Sequence, residues 1–264
     1  MTDPKPKPPT VASVVEAVGL LRGRYRSRLA CHARDVRAAQ RLRHLAFYGT
    51  VGCDTDSFDA SCDHMLIEDH TTGDLLCCFR FLRLTGATID QSYAAQSYDL
   101  ASLSGYSGTM VEMGRFCTRP GLLDADVLRL AWGAMTAYVD AAKIALLFGC
   151  ASFAGTDPLR YADSLAVLRD RHLAPSCWRP GISAPEIIGY AQQGPRTPDV
   201  KQAMRRMPPL LRTYLMMGGW VSDHAVVDRR MNTLHVFTGV EIHAIPPARK
   251  RLLRAVAEGP CLPA

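Results

Sequence analysis

Four aspartates crowd into ten residues of this chain: Asp54, Asp56, Asp59 and Asp63, with aromatic Phe58 among them and Arg43 and Phe47 upstream. Carboxylates this close repel one another unless cations stand nearby. Spacing alone allows two readings: a solvated loop whose aspartates cap short helices, or a pocket for a cationic amine. A second group, Glu112-Met113-Gly114-Arg115-Phe116, interrupts a run that otherwise reads as an apolar strand. A buried carboxylate and guanidinium are costly unless paired. Strict alternation sets Glu112 and Arg115 on opposite faces, so service to one pocket requires a bulge near Gly114; a structural ion pair on the sheet is the alternative. A third group, Gly149-Cys150-Ala151-Ser152-Phe153-Ala154-Gly155, has the small residues of a tight strand exit. Its spacing does not match the G-x-S-x-G elbow of a serine hydrolase, and close backbone approach to a ligand or neighbour is the better use of its glycines.

The elements that must position these residues follow from periodicity. A helix is expected over 11–21, a half-buried strand over 25–30, and a helix opened by Asp35 whose apolar face holds Val36, Ala39, Leu42 and Phe47. Strands over 64–68 and 75–84 form a hairpin about Thr71-Thr72-Gly73, and a further strand covers 110–118. Val127, Leu130, Ala131, Ala134, Tyr138, Val139 and Ala142 recur at helical spacing behind Asp124 or Asp126, and a short buried strand follows over 144–150. The order is that of an α+β fold, a mixed sheet flanked by helices. Prolines punctuate 156–209, where no assignment is firm. Residues 210–220 form an apolar stretch beside Arg205, Arg206 and Arg212, read as buried core ahead of an interfacial membrane helix. Two strands are expected within 225–240. The domain division is a tail and helix over 1–21, a main domain over 22–240 with an extension from about 156, and a C-terminal helix or tail over 241–264.

Composition narrows the classes of partner. The 264 residues carry a formal charge of +6 and a pI near 8.9, suited to an acidic partner such as nucleic acid, anionic lipid or acyl-carrier protein. No nucleic-acid-binding signature accompanies the basic clusters, so nucleic acid is excluded. No run of about 18 apolar residues occurs and the N-terminus lacks the apolar core of a signal peptide, so a cytoplasmic location is expected. Nine cysteines, an odd number, are read as reduced thiols, and no metal-ligand spacing appears.

The motifs Arg43-x-x-x-Phe47, Asp56-x-x-Asp59-x-x-Cys62-Asp63-His64, Phe79-Arg80, Glu112-x-Gly114-Arg115-Phe116-Cys117 and Phe148-Gly149-Cys150-x-Ser152-Phe153-x-Gly155-Thr156-Asp157-Pro158 occur in this order. Together they resemble the bacterial ornithine lipid N-acyltransferases, over about residues 24–240. The resemblance implies a GNAT-type acyltransferase fold and transfer of a 3-hydroxyacyl group from acyl-carrier protein to the α-amine of L-ornithine, giving a lyso-ornithine lipid. A more distant likeness to acyl-homoserine lactone synthases rests on Arg43, Phe47, Asp56, Asp59, Arg80, Glu112 and Arg115. Residues 119–131 lack the R-x-x-G-x-G/A loop that cradles a coenzyme A pyrophosphate, which fits a carrier-bound 4'-phosphopantetheine thioester as co-substrate and no other cofactor.

In this frame Glu112 is the general base that frees the amine's lone pair. Backbone N–H groups near Phe116, Cys117 and Thr118 stabilise the oxyanion and receive the pantetheine arm. Arg115, Arg43 and Arg80 pair the acceptor's carboxylate, Asp56 and Asp59 hold its distal ammonium, and Phe47 lines the pocket; Ser152, Phe153 and Asp157 belong to the family motif. The same arginines and aspartates could instead pair with one another and order the loop. Other acceptors such as glutamine, a lactone synthase, and a non-catalytic carrier- or lipid-binding module are the competing readings. The lipid product and the basic apolar stretch suggest peripheral contact with the inner membrane.

Overall fold

A computed structural model describes residues 11–194 and 197–257; the Pro/Lys tail at 1–10 and residues 258–264 lie outside the described residues. In chain order the elements are α1 (Val11–Ala17), β1 (Leu21–Arg22), β2 (Tyr25–Leu29), α2 (Ala33–Tyr48), β3 (Asp63–Asp69), β4 (Leu75–Leu84), β5 (Tyr98–Asp99), β6 (Thr109–Thr118), α3 (Ala125–Ala141) and β7 (Ile144–Ala154). They continue with α4 (Ala162–Arg171), β8 (Gly181–Ile182), β9 (Ile187–Gly189), α5 (Val200–Arg206), α6 (Pro209–Met216), β10 (Trp220–Val221), β11 (His224–Asp228), β12 (Thr233–Glu241) and α7 (Pro247–Ala257). The described residues divide into two compact units, one of 11–81, 115–144 and 248–257, the other of 82–114 and 145–247.

In the first unit β1, β2, β3 and β4 pair antiparallel in that order. The end of β6 runs beside β4, where the Arg119 N–H donates to the Leu76 carbonyl at 2.8 Å. Two-residue alternation puts Leu66 and Cys78 on the face that meets Ala39 and Leu42 of α2, with Cys117 and Phe47 completing the cluster. Arg80, two residues from Cys78, shares that face with Arg43 of α2. On the other face Phe81 stacks on Tyr138 of α3 at 4.2 Å, and the Tyr138 hydroxyl donates to Asp63 at 2.6 Å. Helix α1 stops at Ala17, short of the expected residue 21, because Leu21 and Arg22 instead form a hairpin with β2 about Gly23, whose φ is +57°. Asp35 is not the cap of α2: it lies in the first turn, where its carboxylate accepts from the Cys31 and His32 N–H groups and the Arg28 guanidinium, while His32 stands at the cap.

In the second unit β7 pairs antiparallel with β12, β12 with β11 and β11 with β9, while β10 pairs with β12. One sheet face meets α4, α5 and α6 through Leu165, Leu168, Ala203, Leu211 and Leu215, packed on Phe153, Leu234 and Val236. The apolar stretch at 210–220 is therefore core. Against the other face Tyr98 lies on Phe237, and its hydroxyl donates to the His235 carbonyl at 2.9 Å. Strand β7 runs four residues past the expected end at 150, so residues 149–154 are strand and not an exit loop; the exit is Gly155, with φ +81°. Gly149 sits against the backbone of Met113, where a Cβ would lie less than 3.0 Å from the Met113 carbonyl oxygen. The glycine is there for strand-to-strand approach, and Gly149→Ala is expected to cost about 1–3 kcal/mol in urea unfolding as the backbones part.

Candidate active site

The residues that carried chemical promise in the first unit converge on one polar network. Arg43 projects from α2 and is almost fully buried; its Nε donates to Asp54 at 2.9 Å, and its Nη1 and Nη2 fork onto Asp59 at 2.7 and 2.9 Å. Its Nη2 also donates to the Asp54 carbonyl oxygen. Arg80 on β4 makes a second fork onto Asp56 at 2.6 and 2.8 Å and reaches Asp59 at 2.5 Å, its guanidinium 5.7 Å from the Phe58 ring. Arg115 at the end of β6 donates to Asp56 at 3.1 Å and lies 3.5 Å from Asp54. Three arginines thus balance three aspartates. Asp56 also caps the 3-10 turn Ser57–Ser61, accepting from the Phe58 N–H at 3.0 Å, so the capping and the pairing readings of the acidic run both hold.

Two further groups tie the network down. Gln40 donates to Asp59 at 2.9 Å, and His64 Nε2 stands 2.9 Å from the Asp59 carbonyl oxygen. Sequence reasoning overlooked Gln40, although it lies one helical turn before Arg43 and on the same face. Asp54 was noted in the acidic run but not singled out. Phe47 packs on the α2 core cluster. Phe116 stacks on Phe79 at 5.3 Å, and Cys117 Sγ lies 3.6 Å from Cys78 Sγ, both as free thiols.

Burial alone would raise the Asp59 carboxyl's pKa, but the guanidinium of Arg43, the amide of Gln40 and the guanidinium of Arg80 more than offset this and hold it well below the usual range. Asp56 shows the same balance, burial opposed by Arg80 and Arg115, with a net downward shift. Asp35 is held down chiefly by the bond from Arg28. A carboxyl whose pKa is lower folded than unfolded contributes stability above the unfolded value, near 4, and loses that contribution as pH falls below it. Thermal midpoints are expected to hold between about pH 7 and pH 5 and to fall progressively below about pH 4; a midpoint unchanged at about pH 3 would contradict these bonds.

In the second unit the Glu112 carboxylate accepts from the N–H groups of Tyr93 and Ala94, each at 2.7 Å, at the start of the 3-10 turn Ala94–Gln96. The pleat of β6 breaks three residues later at Arg115, whose φ of +56° is left-handed. This left-handed residue lies one position beyond Gly114, where a bulge was expected. Ser152 is exposed on β7, Phe153 is core against Tyr161, and Asp157 caps the turn at Pro158–Tyr161 by accepting from the Leu159 N–H at 2.9 Å. These three have structural positions in the strand and its exit. Among the described residues no group of three or more His, Cys, Asp or Glu is placed to hold a metal ion.

Comparison with known proteins gives this arrangement its relatives. A family model described as an acetyltransferase (GNAT) domain matches residues 41–133, a span that includes Arg43, the three aspartates, Arg80, Glu112 and Arg115. The chain is 32% identical over 252 residues to an L-ornithine N(alpha)-acyltransferase of Rhodobacter capsulatus, covering 89% of this chain and 96% of the relative. It is 29% identical over 243 residues to an enzyme of the same name from Agrobacterium fabrum, covering 84% of this chain and 83% of the relative. Among solved structures it aligns with FeeM, an N-acyl amino acid synthase from uncultured soil microbes, at 11% identity and a TM-score of 0.48, over 89% of this chain and 97% of that one. With 32% identity across almost the whole length of a curated relative, the chain belongs to the L-ornithine N(alpha)-acyltransferase family and is an acyltransferase.

Proposed function

We propose that this acyltransferase moves a fatty acyl group, 3-hydroxylated in the preferred donor, from acyl-carrier protein to the α-amine of L-ornithine in the cytoplasm, giving a lyso-ornithine lipid. The observation that carries the acceptor assignment is the graded exposure of the charged network. The side chains of Arg43, Asp54, Asp59 and Arg80 are between 1% and 7% exposed, whereas Asp56 and Arg115 are at 19% and 15%. The inner four form a closed structural core. The Asp56–Arg115 pair is the part an incoming amino acid can exchange with, its carboxylate taking the Arg115 fork and its distal ammonium taking Asp56.

The chemistry requires a deprotonated amine. Glu112 accepts the α-ammonium proton, the freed nitrogen attacks the thioester carbonyl, and N–H groups of β6 near Phe116 and Cys117 stabilise the oxyanion. Attack forms the C–N bond; collapse of the tetrahedral intermediate breaks the C–S bond, the nitrogen gives its second proton to the departing thiolate of the pantetheine arm lying along Thr118, and Glu112 releases the first proton to solvent. No acyl-enzyme and no cofactor beyond the donor's own phosphopantetheine is needed. The carrier protein delivers its arm beside the start of α3, next to the end of β6.

The test is mass spectrometry of products from the purified protein with 3-hydroxyacyl-carrier protein and equimolar ornithine, glutamine, lysine and glycine. Lyso-ornithine lipid as the main product is expected; another acylated amino acid would move the acceptor, and no product with any donor would sink the reading. Asp56→Asn is expected to raise the KM for ornithine roughly tenfold or more, as loss of one charge-assisted contact worth about 1.5–3 kcal/mol implies. The KM for the acyl donor should stay unchanged in the same assay.

A further inference from the structure

The segment between β4 and β6 contains no long element. It folds as three 3-10 turns, Gly86–Gln91, Ala94–Gln96 and Ala101–Leu103, with the short strand β5 between the second and the third. Hydrogen bonds in 3-10 turns have poorer geometry than those of an α-helix, so such a stretch takes its shape from what it packs on. It nevertheless supplies both N–H groups that hold the Glu112 carboxylate, those of Tyr93 and Ala94. What aims Glu112 is therefore whatever holds residues 93 and 94.

Local bonds close the turn. The Gln96 N–H donates to the Tyr93 carbonyl at 3.2 Å, the Ser97 N–H to that of Ala94 at 3.0 Å, and the Ala95 N–H to Ser92 Oγ at 3.2 Å. None of these three bonds reaches the sheet; Tyr98 does. Its side chain is 1% exposed and lies among three rings of β11 and β12: His224 at 5.2 Å, His235 at 5.6 Å and Phe237 at 5.7 Å. Its hydroxyl donates to the His235 carbonyl at 2.9 Å and lies 3.3 Å from His235 Nδ1. Burial pushes that hydroxyl well above its ordinary value, so it stays a donor at every working pH. Beside it β5 pairs with β8, Tyr98 opposite Ile182, and the Ala184 N–H donates to the Ser97 carbonyl at 3.0 Å. In sheet order β12 follows β7 and β7 follows β6, so the turn braces Glu112 on β6 against a strand two places away. A phenylalanine would fill the same space, but the hydroxyl fixes the depth and direction of the ring.

We infer that Tyr98 is a positioning residue: by bonding its hydroxyl to β12 it fixes the turn whose two N–H groups aim the Glu112 carboxylate. That Glu112 is thereby aimed as a base rests on the proposed function; the fixing of the turn does not.

The sign of the effect follows from the bonds. An N–H donated to a carboxylate favours its charged form, so loosening the turn moves the ionisation of the base to higher pH. Other titratable groups lie around it in this unit: Cys150 on β7, whose thiol is pushed up by burial and by the charge of Glu112, Tyr93 and Tyr98 in the segment, and His224 and His235 behind Tyr98, the latter lowered to about 4 by burial. The one other charge on β6 is Arg115, bonded to Asp56.

The test is Tyr98→Phe in the full chain, read by amide hydrogen exchange and by the pH–rate profile. Protection of the Tyr93 and Ala94 amides should fall on the order of two- to tenfold, as loss of one hydrogen bond implies, while the amides of α4 keep wild-type protection. The acid limb of kcat should move up by roughly 0.5–1 pH unit, which lowers kcat about three- to tenfold on that limb and leaves it near wild type above. The KM for ornithine and for the acyl donor should stay unchanged. Tyr161→Phe is the control: its hydroxyl donates to the Ala154 carbonyl at 2.6 Å on the helix-covered face of the same sheet. It loses the same kind of bond, so it should lower the thermal midpoint about as much and leave both the limb and the 93–94 amides in place. Unchanged protection at 93–94, an equal loss of rate at every pH, a limb shifted as far by Tyr161→Phe, or a Tyr98→Phe chain that fails to fold would each overturn the inference. A limb that survives in Glu112→Gln would sink Glu112 as the base, and the amide exchange would then judge the tie by itself.

Discussion

Arg43→Met is expected to destabilise the protein by about 3–5 kcal/mol, the cost of leaving buried carboxylates without their cation. Two aspartates draw most of their bonds from this one guanidinium: Asp54 through Nε and Asp59 through the fork. Both are buried, so water cannot fully replace the lost cation. Arg80 compensates only in part: it keeps its single contact with Asp59 at 2.5 Å while its fork is committed to Asp56, and Asp54 is left with Arg115 at 3.5 Å. Urea unfolding followed by circular dichroism reads the loss, and limited proteolysis should cut first within 54–62. Arg43→Lys should recover only part of the stability, because an ammonium offers no planar fork to match two carboxylates. A loss under about 1 kcal/mol would mean that the network is a solvated loop, the reading that spacing alone left open.

That pair of readings marks where the sequence stopped being informative. Residue types named the members of the network, because arginine and aspartate on apolar-patterned elements must find partners. They could not say whether the partners were each other or a ligand, which depends on which side chains stay accessible. The 19% exposure of Asp56 against 7% for Asp59, three residues later in the same turn, is a tertiary outcome. Local punctuation decided how well elements were read. Strand β4 was legible to its ends because Gly73 and Gly86 bracket a run that is apolar but for Arg80 and Arg83, and α3 because Asp124 caps it and its buried residues keep helical spacing. Residues 156–209 resisted, since the elements there are short and depend on partners far away in sequence: α4 and α5 pack in one cluster with Phe153, Leu234 and Val236, and β8 pairs with Tyr98 and Asp99. Strand β7 was cut short in the reading because two glycines and a serine look like an exit; only the nearness of the Met113 backbone explains a glycine in mid-strand.

The same limit governs the base. Glu112→Gln is expected to lower kcat by about 10²- to 10⁴-fold, the usual contribution of a positioned general base, with little change in KM for ornithine. The substitution has a structural side as well. Both oxygens of Glu112 accept a backbone N–H, from Tyr93 and Ala94, and a glutamine offers one acceptor and one donor, so one N–H would face an NH2 group. That mismatch should cost about 1–3 kcal/mol of stability. The pH dependence separates the two roles. If Glu112 takes the proton, the wild-type rate rises through the ionisation of one acid and this limb disappears in Glu112→Gln; if it only ties the 93–94 turn, the variant keeps the limb at reduced amplitude. Glu112→Asp, which keeps the charge but withdraws it by one methylene, should retain the limb and lose rate. A Glu112→Gln enzyme with more than about a tenth of wild-type turnover at saturating substrates, a loss of under about 1.4 kcal/mol in the barrier, would move the base elsewhere and leave Glu112 as the clasp of its turn.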